Sequence, residues 1–163
     1  MSADLTITRL ADRETADAEA CARMMSETEP WITLGRTFEA SLDVVGDRFA
    51  ETYVARSGGQ VVGFVVLMMH GALPGYVRSV CIRADQRGGG LGTALMRFAE
   101  ERIFRERSNV FLCVSSFNKA AQRLYLRLGY KQVGELEDYL VAGHSELLMR
   151  KTRGPLGPAP AGR

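Results

Sequence analysis

A cluster of glycines between an apolar run and a helix constrains the fold of this 163-residue chain more than any other feature. The turn reads Gln86-Arg87-Gly88-Gly89-Gly90-Leu91-Gly92-Thr93 and follows an apolar stretch that ends near Ile82. From Leu91 onward, apolar residues recur at three- and four-residue spacing, which predicts an amphipathic helix. A helix N-terminus offers unpaired backbone N–H groups and a partial positive charge, so this glycine turn is a candidate phosphate site.

The composition of the glycine turn limits the kind of phosphate site that it can form. Glycines let the backbone approach an anion closely, Arg87 adds a cation, and Thr93 adds a hydroxyl. A P-loop would need a lysine that is missing here, and a dinucleotide fold would need repeated strand–helix units and a later acidic residue. A tight turn that binds no ligand is the structural alternative.

The remaining pattern of the chain predicts an α/β (α+β) domain with a mixed sheet and helices on both faces. We expect one domain over residues 1–152 and a disordered Gly/Pro-rich tail over 153–163. Strands are predicted at 5–10, 53–56, 61–68, 76–82, 110–114, 130–133 and 145–150, and helices at 11–25, about 37–45, from 91, and at 118–128.

Composition excludes several classes of partner. The formal net charge of +2 argues against a nucleic-acid partner, which would favour a basic stripe. The longest apolar stretch, 61–69, falls far short of the roughly 20 residues that span a bilayer. Three cysteines without CxxC spacing, and an N-terminus without a secretory pattern, predict a cytoplasmic protein with no metal site.

Two motifs resemble the GNAT acetyltransferase superfamily. Arg87-x-x-Gly90-x-Gly92 is similar to its Gln/Arg-x-x-Gly-x-Gly/Ala signature, and the preceding Ser79-Val80-Cys81-Ile82 is similar to its fourth strand. Asn118, followed by Leu124-Tyr125 and Leu128-Gly129-Tyr130, resembles its second cofactor motif. The order of elements over about 5–150 matches as well. The resemblance implies a mostly antiparallel sheet of about seven strands flanked by about four helices.

The resemblance also implies an acyl-CoA-dependent N-acyltransferase with acetyl-CoA as co-substrate. Backbone groups of Val80, Cys81 and Ile82 would pair with the pantetheine arm like an added strand. The pyrophosphate would be held by the backbone N–H groups of Arg87, Gly88, Gly89, Gly90, Leu91, Gly92 and Thr93.

Two further residues receive roles from the resemblance. Asn118 would hydrogen-bond the pantetheine region, and Tyr125 would protonate the departing thiolate as general acid. An unperturbed tyrosine, with a pKa of about 10, suits that task. Each residue also has a plain structural interpretation, because Asn118 is a natural N-cap and Tyr125 lies on the apolar stripe of its helix.

The resemblance does not assign a general base to any residue of this chain. Relatives that act on protein N-terminal amines often carry a glutamate five positions before the motif asparagine, where this chain has Cys113. We expect Cys113 to be a packed, inert thiol, since an apolar run raises its pKa. Ordered water or another side chain must then take the proton. The candidates, which the sequence does not rank, are Glu29, His70, Asp138 and His144.

The acceptor site is expected where the segment 27–35 joins the first two helices. Glu29 and Trp31 are candidate acceptor contacts, although a solvated loop acid and a core-covering tryptophan explain them equally simply. Tyr139, after Asp138, resembles the aromatic edge of the acceptor site in ribosomal-protein N-terminal acetyltransferases. The expected acceptor is therefore a peptide α-amine or a small-molecule amine, and a homodimer is compatible with the sequence.

Two functions fit these residues. The first is acetyl transfer by direct attack of the amine in a ternary complex, where positioning and backbone N–H groups near the thioester supply the rate. The second is a non-catalytic acyl-CoA-binding sensor on the same fold. Tyr125 favours the enzyme, and the absence of a glutamate at position 113 favours the sensor.

Overall fold

A computed structural model describes residues 4–157 of the chain. Within that range the chain forms seven strands, four α-helices and one short 3-10 helix. The strands are β1 Thr6–Arg9, β2 Glu51–Ser57, β3 Gln60–Met68, β4 Tyr76–Ile82, β5 Asn109–Ser115, β6 Lys131–Leu136 and β7 Glu146–Thr152. The helices are α1 Ala16–Ser26, α2 Phe38–Val45, α3 Leu91–Phe104 and α4 Lys119–Arg127, and the 3-10 turn is Ala84–Gln86.

The first helix begins later than the alanine-rich pattern predicts. Thr15 is its N-cap, with Oγ1 accepting from the N–H of Ala18 at 3.2 Å. Upstream, the carboxylate of Asp12 accepts from the N–H of Glu14 and holds a turn that helix propensity does not reveal. The predicted start at residue 11 is therefore wrong, and capping chemistry rather than composition places the helix end.

All seven strands form one sheet in the order β1-β2-β3-β4-β5-β7-β6. Every neighbouring pair is antiparallel except β4 and β5, which are parallel, so the predicted mixed and mostly antiparallel sheet is confirmed. Side chains alternate across the sheet and enter two cores. One core packs residues of α3 against the sheet, and the other packs residues of α1 and α2 on the opposite face.

The β4–β5 pair is very short. Only Tyr76 with Phe111 and Val77 with Leu112 are in register. On its other side, β4 pairs with β3 through Val77 and Ser79 at consecutive β3 positions, which makes Arg78 the extra residue of a β-bulge. A bulge bends its strand and increases the local twist. Beyond Arg78, β4 and β5 therefore separate, and a gap opens in the sheet.

The end of the described chain contacts the domain. The N–H of Arg153 donates to the carbonyl of Ser108 at 2.8 Å, and its guanidinium lies 4.1 Å from the ring centroid of Phe104. The predicted disordered tail thus has an anchored first residue, while residues 158–163 of that tail lie outside the described range. Across residues 4–157, none of the helices has the length and apolar character needed to cross a membrane.

Candidate active site

A cleft of about 800 Å³ occupies the gap between β4 and β5. Its walls come from the glycine turn, the α1–α2 segment, α4 and the β6–β7 loop. The sequence-predicted site residues that line it are Glu29, Trp31, Val80, Ile82, Arg87, Gly88, Gly90, Gly92, Thr93, Asn118, Tyr125 and Tyr139. Residues that lie far apart in the chain thus meet in one place.

Three of the predicted cofactor contacts do not line the cleft: Cys81, Gly89 and Leu91. The Cys81 side chain is 1% exposed and packs in the α1–α2 core, and Leu91 packs against the α3 core. Their assigned roles involve backbone groups, which burial of the side chain does not remove.

The glycine turn has the geometry of an anion site. Gly88 and Gly90 have φ angles of 79° and 86°, in the left-handed region that favours glycine, and Gly90 is the N-cap of α3. A Cβ atom built on either glycine would meet no atom within 4 Å, so the space in front of the turn is open. The first N–H groups of α3 lack intrahelical partners and can bind a phosphate there.

Arginines dominate the charge of the cleft. Its charged lining consists of Arg36, Arg78, Arg87, Arg123 and Arg127 against the two carboxylates Glu29 and Glu146. Arg87 Nη2 donates to the carbonyl of Glu29 at 3.4 Å and so ties the glycine turn to the acceptor-side segment. An excess of fixed positive charge suits a donor that carries several phosphates.

Asn118 is both the N-cap of α4 and a cleft residue. Its Oδ1 accepts from the N–H of Ala121 at 3.2 Å, which confirms the capping interpretation. Within residues 4–157 its amide nitrogen makes no hydrogen bond, so a donor remains on a side chain that the cap holds in place. Capping and ligand binding are therefore compatible.

Tyr125 lines the cleft from α4, and its ring packs edge-on against Tyr130 with 5.9 Å between centroids. Burial raises the pKa of its hydroxyl to about 12, so the unperturbed value assumed from the sequence is too low. The phenol is thus fully protonated at neutral pH. A thiolate placed in the same environment would also be disfavoured and its basicity would rise in parallel, so a phenol with this pKa would remain a suitable proton donor to it.

Cys113 does not pack in the core as its apolar run suggests. Alternation along β5 buries Leu112 and Val114, while the partly buried Cys113 lines the cleft. Burial nevertheless raises the pKa of its thiol. The side chain is therefore accessible from the cleft but protonated at neutral pH.

The four base candidates from the sequence are scattered. His70 is exposed and accepts from Arg107 Nη2 at 3.0 Å, and Asp138 accepts from the N–H of Gly143 within the β6–β7 loop. His144 packs on Phe117 at 4.7 Å, and these three do not line the cleft. Glu29 lines the cleft, but its carboxylate accepts hydrogen bonds from the N–H and the hydroxyl of Thr33 in the same loop.

Sequence reasoning missed a fifth candidate, the carboxylate Glu146. It begins β7, lines the cleft and is 4% exposed. A charged residue at the start of a closing strand normally indicates a solvated position. Only the pairing of β7 with β5 shows that Glu146 lies opposite Ser115, inside the cleft.

The side of the cleft where the sequence predicts the acceptor has two walls. Trp31, in the α1–α2 segment, packs on the α1–α2 core, which confirms its core-covering interpretation. It also lines the cleft, and its contact with the acceptor stays a prediction. Across the opening, Tyr139 and Leu140 of the β6–β7 loop are 62% and 46% exposed. The opening is therefore edged by aromatic and apolar side chains.

Comparison with known proteins agrees with this geometry. The acetyltransferase (GNAT) family model matches residues 14–130. An uncharacterized N-acetyltransferase of Methanocaldococcus jannaschii is 34% identical over 110 residues, which cover 64% of this chain and 70% of that protein. The N-alpha-acetyltransferase RimI of Mycobacterium tuberculosis is 28% identical over 162 residues, 94% of this chain and 98% of the relative.

Solved structures share the fold. The ribosomal-protein-S18-alanine N-acetyltransferase of Escherichia coli superposes with a TM-score of 0.75 at 18% identity, covering 96% of this chain and 99% of that one. An aminoglycoside 6'-N-acetyltransferase complexed with coenzyme A has a TM-score of 0.72 at 17% identity, with the same coverage. With the family model matching most of its length, this chain belongs to the GNAT family and is an N-acetyltransferase that uses acetyl-CoA as co-substrate.

Proposed function

We propose that this acetyltransferase modifies the α-amine of a peptide or protein, and that the amine attacks acetyl-CoA directly in a ternary complex. The observation that carries the proposal is the continuous cleft, which joins the glycine turn to an open, aromatic-edged mouth. Relatives named for action on N-terminal amines point the same way, namely the 28%-identical RimI and the structurally similar ribosomal-protein-S18-alanine enzyme.

The free edge of β4 supports the assigned binding mode of the donor. Beyond Val77, β4 has β3 on one side and, within residues 4–157, no paired strand on the other. Backbone groups from Val80 to Ile82 are thus available to an extended ligand, as in recognition by strand addition. A pantetheine arm bound along this edge would lead from the glycine turn toward the centre of the sheet.

The chemical step follows from this placement. Backbone N–H groups at the open edge of β4 polarise the thioester carbonyl, and the cleft holds the two reactants side by side. Tyr125 donates a proton to the sulfur that leaves, while Asn118 holds the donor near the start of α4. Both α4 residues line the same cleft as the β4 edge.

The acceptor assignment rests on the shape of the mouth. Trp31 on one wall and the strongly exposed Tyr139 and Leu140 on the other would contact the first residues of a peptide whose amine points inward. The exposed apolar area suits a peptide, which has side chains that can contact it, better than a small, highly charged amine. A small-molecule amine is the alternative acceptor.

A turnover assay tests the proposal. Purified protein is incubated with acetyl-CoA and a panel of free-amine peptides, the same peptides blocked at the N-terminus, and small-molecule amines, with CoA release and acetylated mass as readouts. We expect acetylation only of peptides with a free α-amine. Turnover confined to small amines would refute the peptide assignment, and tight acetyl-CoA binding without any turnover would favour the sensor.

A further inference from the structure

Glu146 is a buried carboxylate within the cleft that the mechanism above does not use. It pairs in register with Ser115, while Cys113 lies two residues earlier on the same strand. Ser115, Cys113 and Glu146 all line the cleft that also contains Tyr125. β5 thus carries no charged side chain at Cys113 or Ser115, and a carboxylate lies on the adjacent strand.

The hydrogen bonding of Glu146 leaves one oxygen available. Oε1 accepts from Ser115 Oγ at 2.6 Å, whereas Oε2 has no protein partner among residues 4–157 and is not sealed from the cleft. Two other buried or largely buried carboxylates of the described chain form ion pairs with basic side chains. Glu100 pairs with Lys151 at 2.7 Å, and the largely buried Glu51 pairs with Arg102 at 2.7 Å. Glu146 has no such ion pair there.

The surroundings of Glu146 favour proton exchange. Burial raises the pKa of its carboxyl above the ordinary range, against the opposing effects of Ser115 and His144. Tyr76 on β4 and Cys113 on β5 are the other titratable groups in electrostatic contact with it, and both stay protonated because burial raises their pKa values too. A carboxylate with a raised pKa is a stronger base than one in water.

We propose that Glu146 is the general base of the reaction, accepting a proton from the acceptor amine directly or through one water. This inference rests on the proposed function. Glu146 Oε2 takes one proton from the ammonium group and later releases it to solvent. The neutral nitrogen forms the N–C bond, the C–S bond breaks, and sulfur takes its proton from Tyr125. The second nitrogen proton returns to Tyr125 through water.

Glu146→Gln tests the role with little change in shape, because the amide oxygen can still accept from Ser115. We expect turnover near neutral pH to fall by about 10²–10⁴-fold with acetyl-CoA affinity unchanged by calorimetry. The deficit should shrink as the pH rises past the pKa of the acceptor, because the free amine then forms without help. It should also be smaller for an α-amine of pKa about 8 than for an alkyl amine of pKa about 10.4.

Two further variants separate catalysis from structure. Glu135→Gln removes an exposed carboxylate from β6, outside the cleft, and should leave the whole pH–rate profile unchanged. Ser115→Ala keeps the carboxylate but removes a hydrogen bond that lowers its pKa. The acidic limb of the kcat/KM profile should therefore move to higher pH.

The outcomes are distinguishable. A Glu146→Gln variant with the wild-type pH–rate profile, or with a loss that is equal at every pH and matched by lower thermal stability, overturns the base role alone. A wild-type protein that binds acetyl-CoA but acetylates no amine in the panel overturns the catalytic assignment and the base role together.

Discussion

Individual side chains in the cleft do two tasks at once. Tyr125 packs on Tyr130 and presents a phenol to the cleft, and Asn118 caps α4 while keeping a free amide. These dual contacts hold each functional atom through packing that the fold needs in any case. A substitution that removes only the functional atom therefore separates the two tasks.

Tyr125→Phe keeps the ring and deletes the proton donor. Turnover should fall by about 10²–10⁴-fold while acetyl-CoA affinity changes little, because the hydroxyl acts on the leaving sulfur in the transition state. The measurement is single-turnover kinetics, where chemistry rather than product release sets the rate. Tyr130→Phe, which deletes a hydroxyl from the buried neighbouring ring, is the matched control and should retain activity. Near-normal turnover of Tyr125→Phe would disprove the role.

Cys113→Ala should retain most of the turnover. The thiol lines the cleft but is held protonated by burial, so at neutral pH it is a poor nucleophile. Rates for the alanine variant and mass spectrometry of the wild-type protein during turnover test this together. An acetyl group found on Cys113 would contradict direct transfer to the amine.

At the level of elements, the start of α3 is the proposed donor site. Its N-cap, Gly90, combines a left-handed φ of 86° with open space in front, so the turn depends on glycine for conformation as well as for access. The bulge at Arg78 bends β4 away from β5 and opens the gap in which we propose that the donor's arm binds. Turn and bulge both line the same cleft.

Gly90→Glu should weaken acetyl-CoA binding at least about tenfold, because it places a carboxylate where the helix N-terminus and arginines attract phosphate. Gly90→Ala is the control for backbone strain, since a Cβ at positive φ costs about 1 kcal/mol or more without adding charge. Calorimetry on both folded variants separates the effects. Unchanged affinity in Gly90→Glu would rule out pyrophosphate binding at this turn.

Over the whole molecule, the proposed donor contacts and the proposed acceptor contacts come from different elements. The α3 and α4 side supplies the glycine turn, Asn118 and Tyr125, whereas the α1–α2 segment and the β6–β7 loop supply the mouth. The β4–β5 gap connects the two sides through the sheet itself. A reaction between two substrates that enter from different faces fits this division.

Local chemistry explains why much of the molecule was predictable from its residues. The glycine turn, the amphipathic α3, the Asn118 cap of α4 and the exact span of β4 follow from periodicity, capping and conformational preference within a few neighbouring residues. The predicted start of α1 was wrong because the Thr15 cap places the helix end, against the helix propensity of the alanine-rich segment. The spacing of the motifs alone was enough to predict the family and its co-substrate.

The sequence by itself therefore determined the elements, their order and the glycine turn, all of which depend on short-range interactions. Tertiary structure alone decided which side chains face the cleft. The β5–β7 pairing brings Glu146 to Ser115, strand alternation turns Cys113 out of the core, and the β4 bulge opens the gap. These placements depend on register between distant strands, and a one-residue shift in register would reverse the face of every side chain.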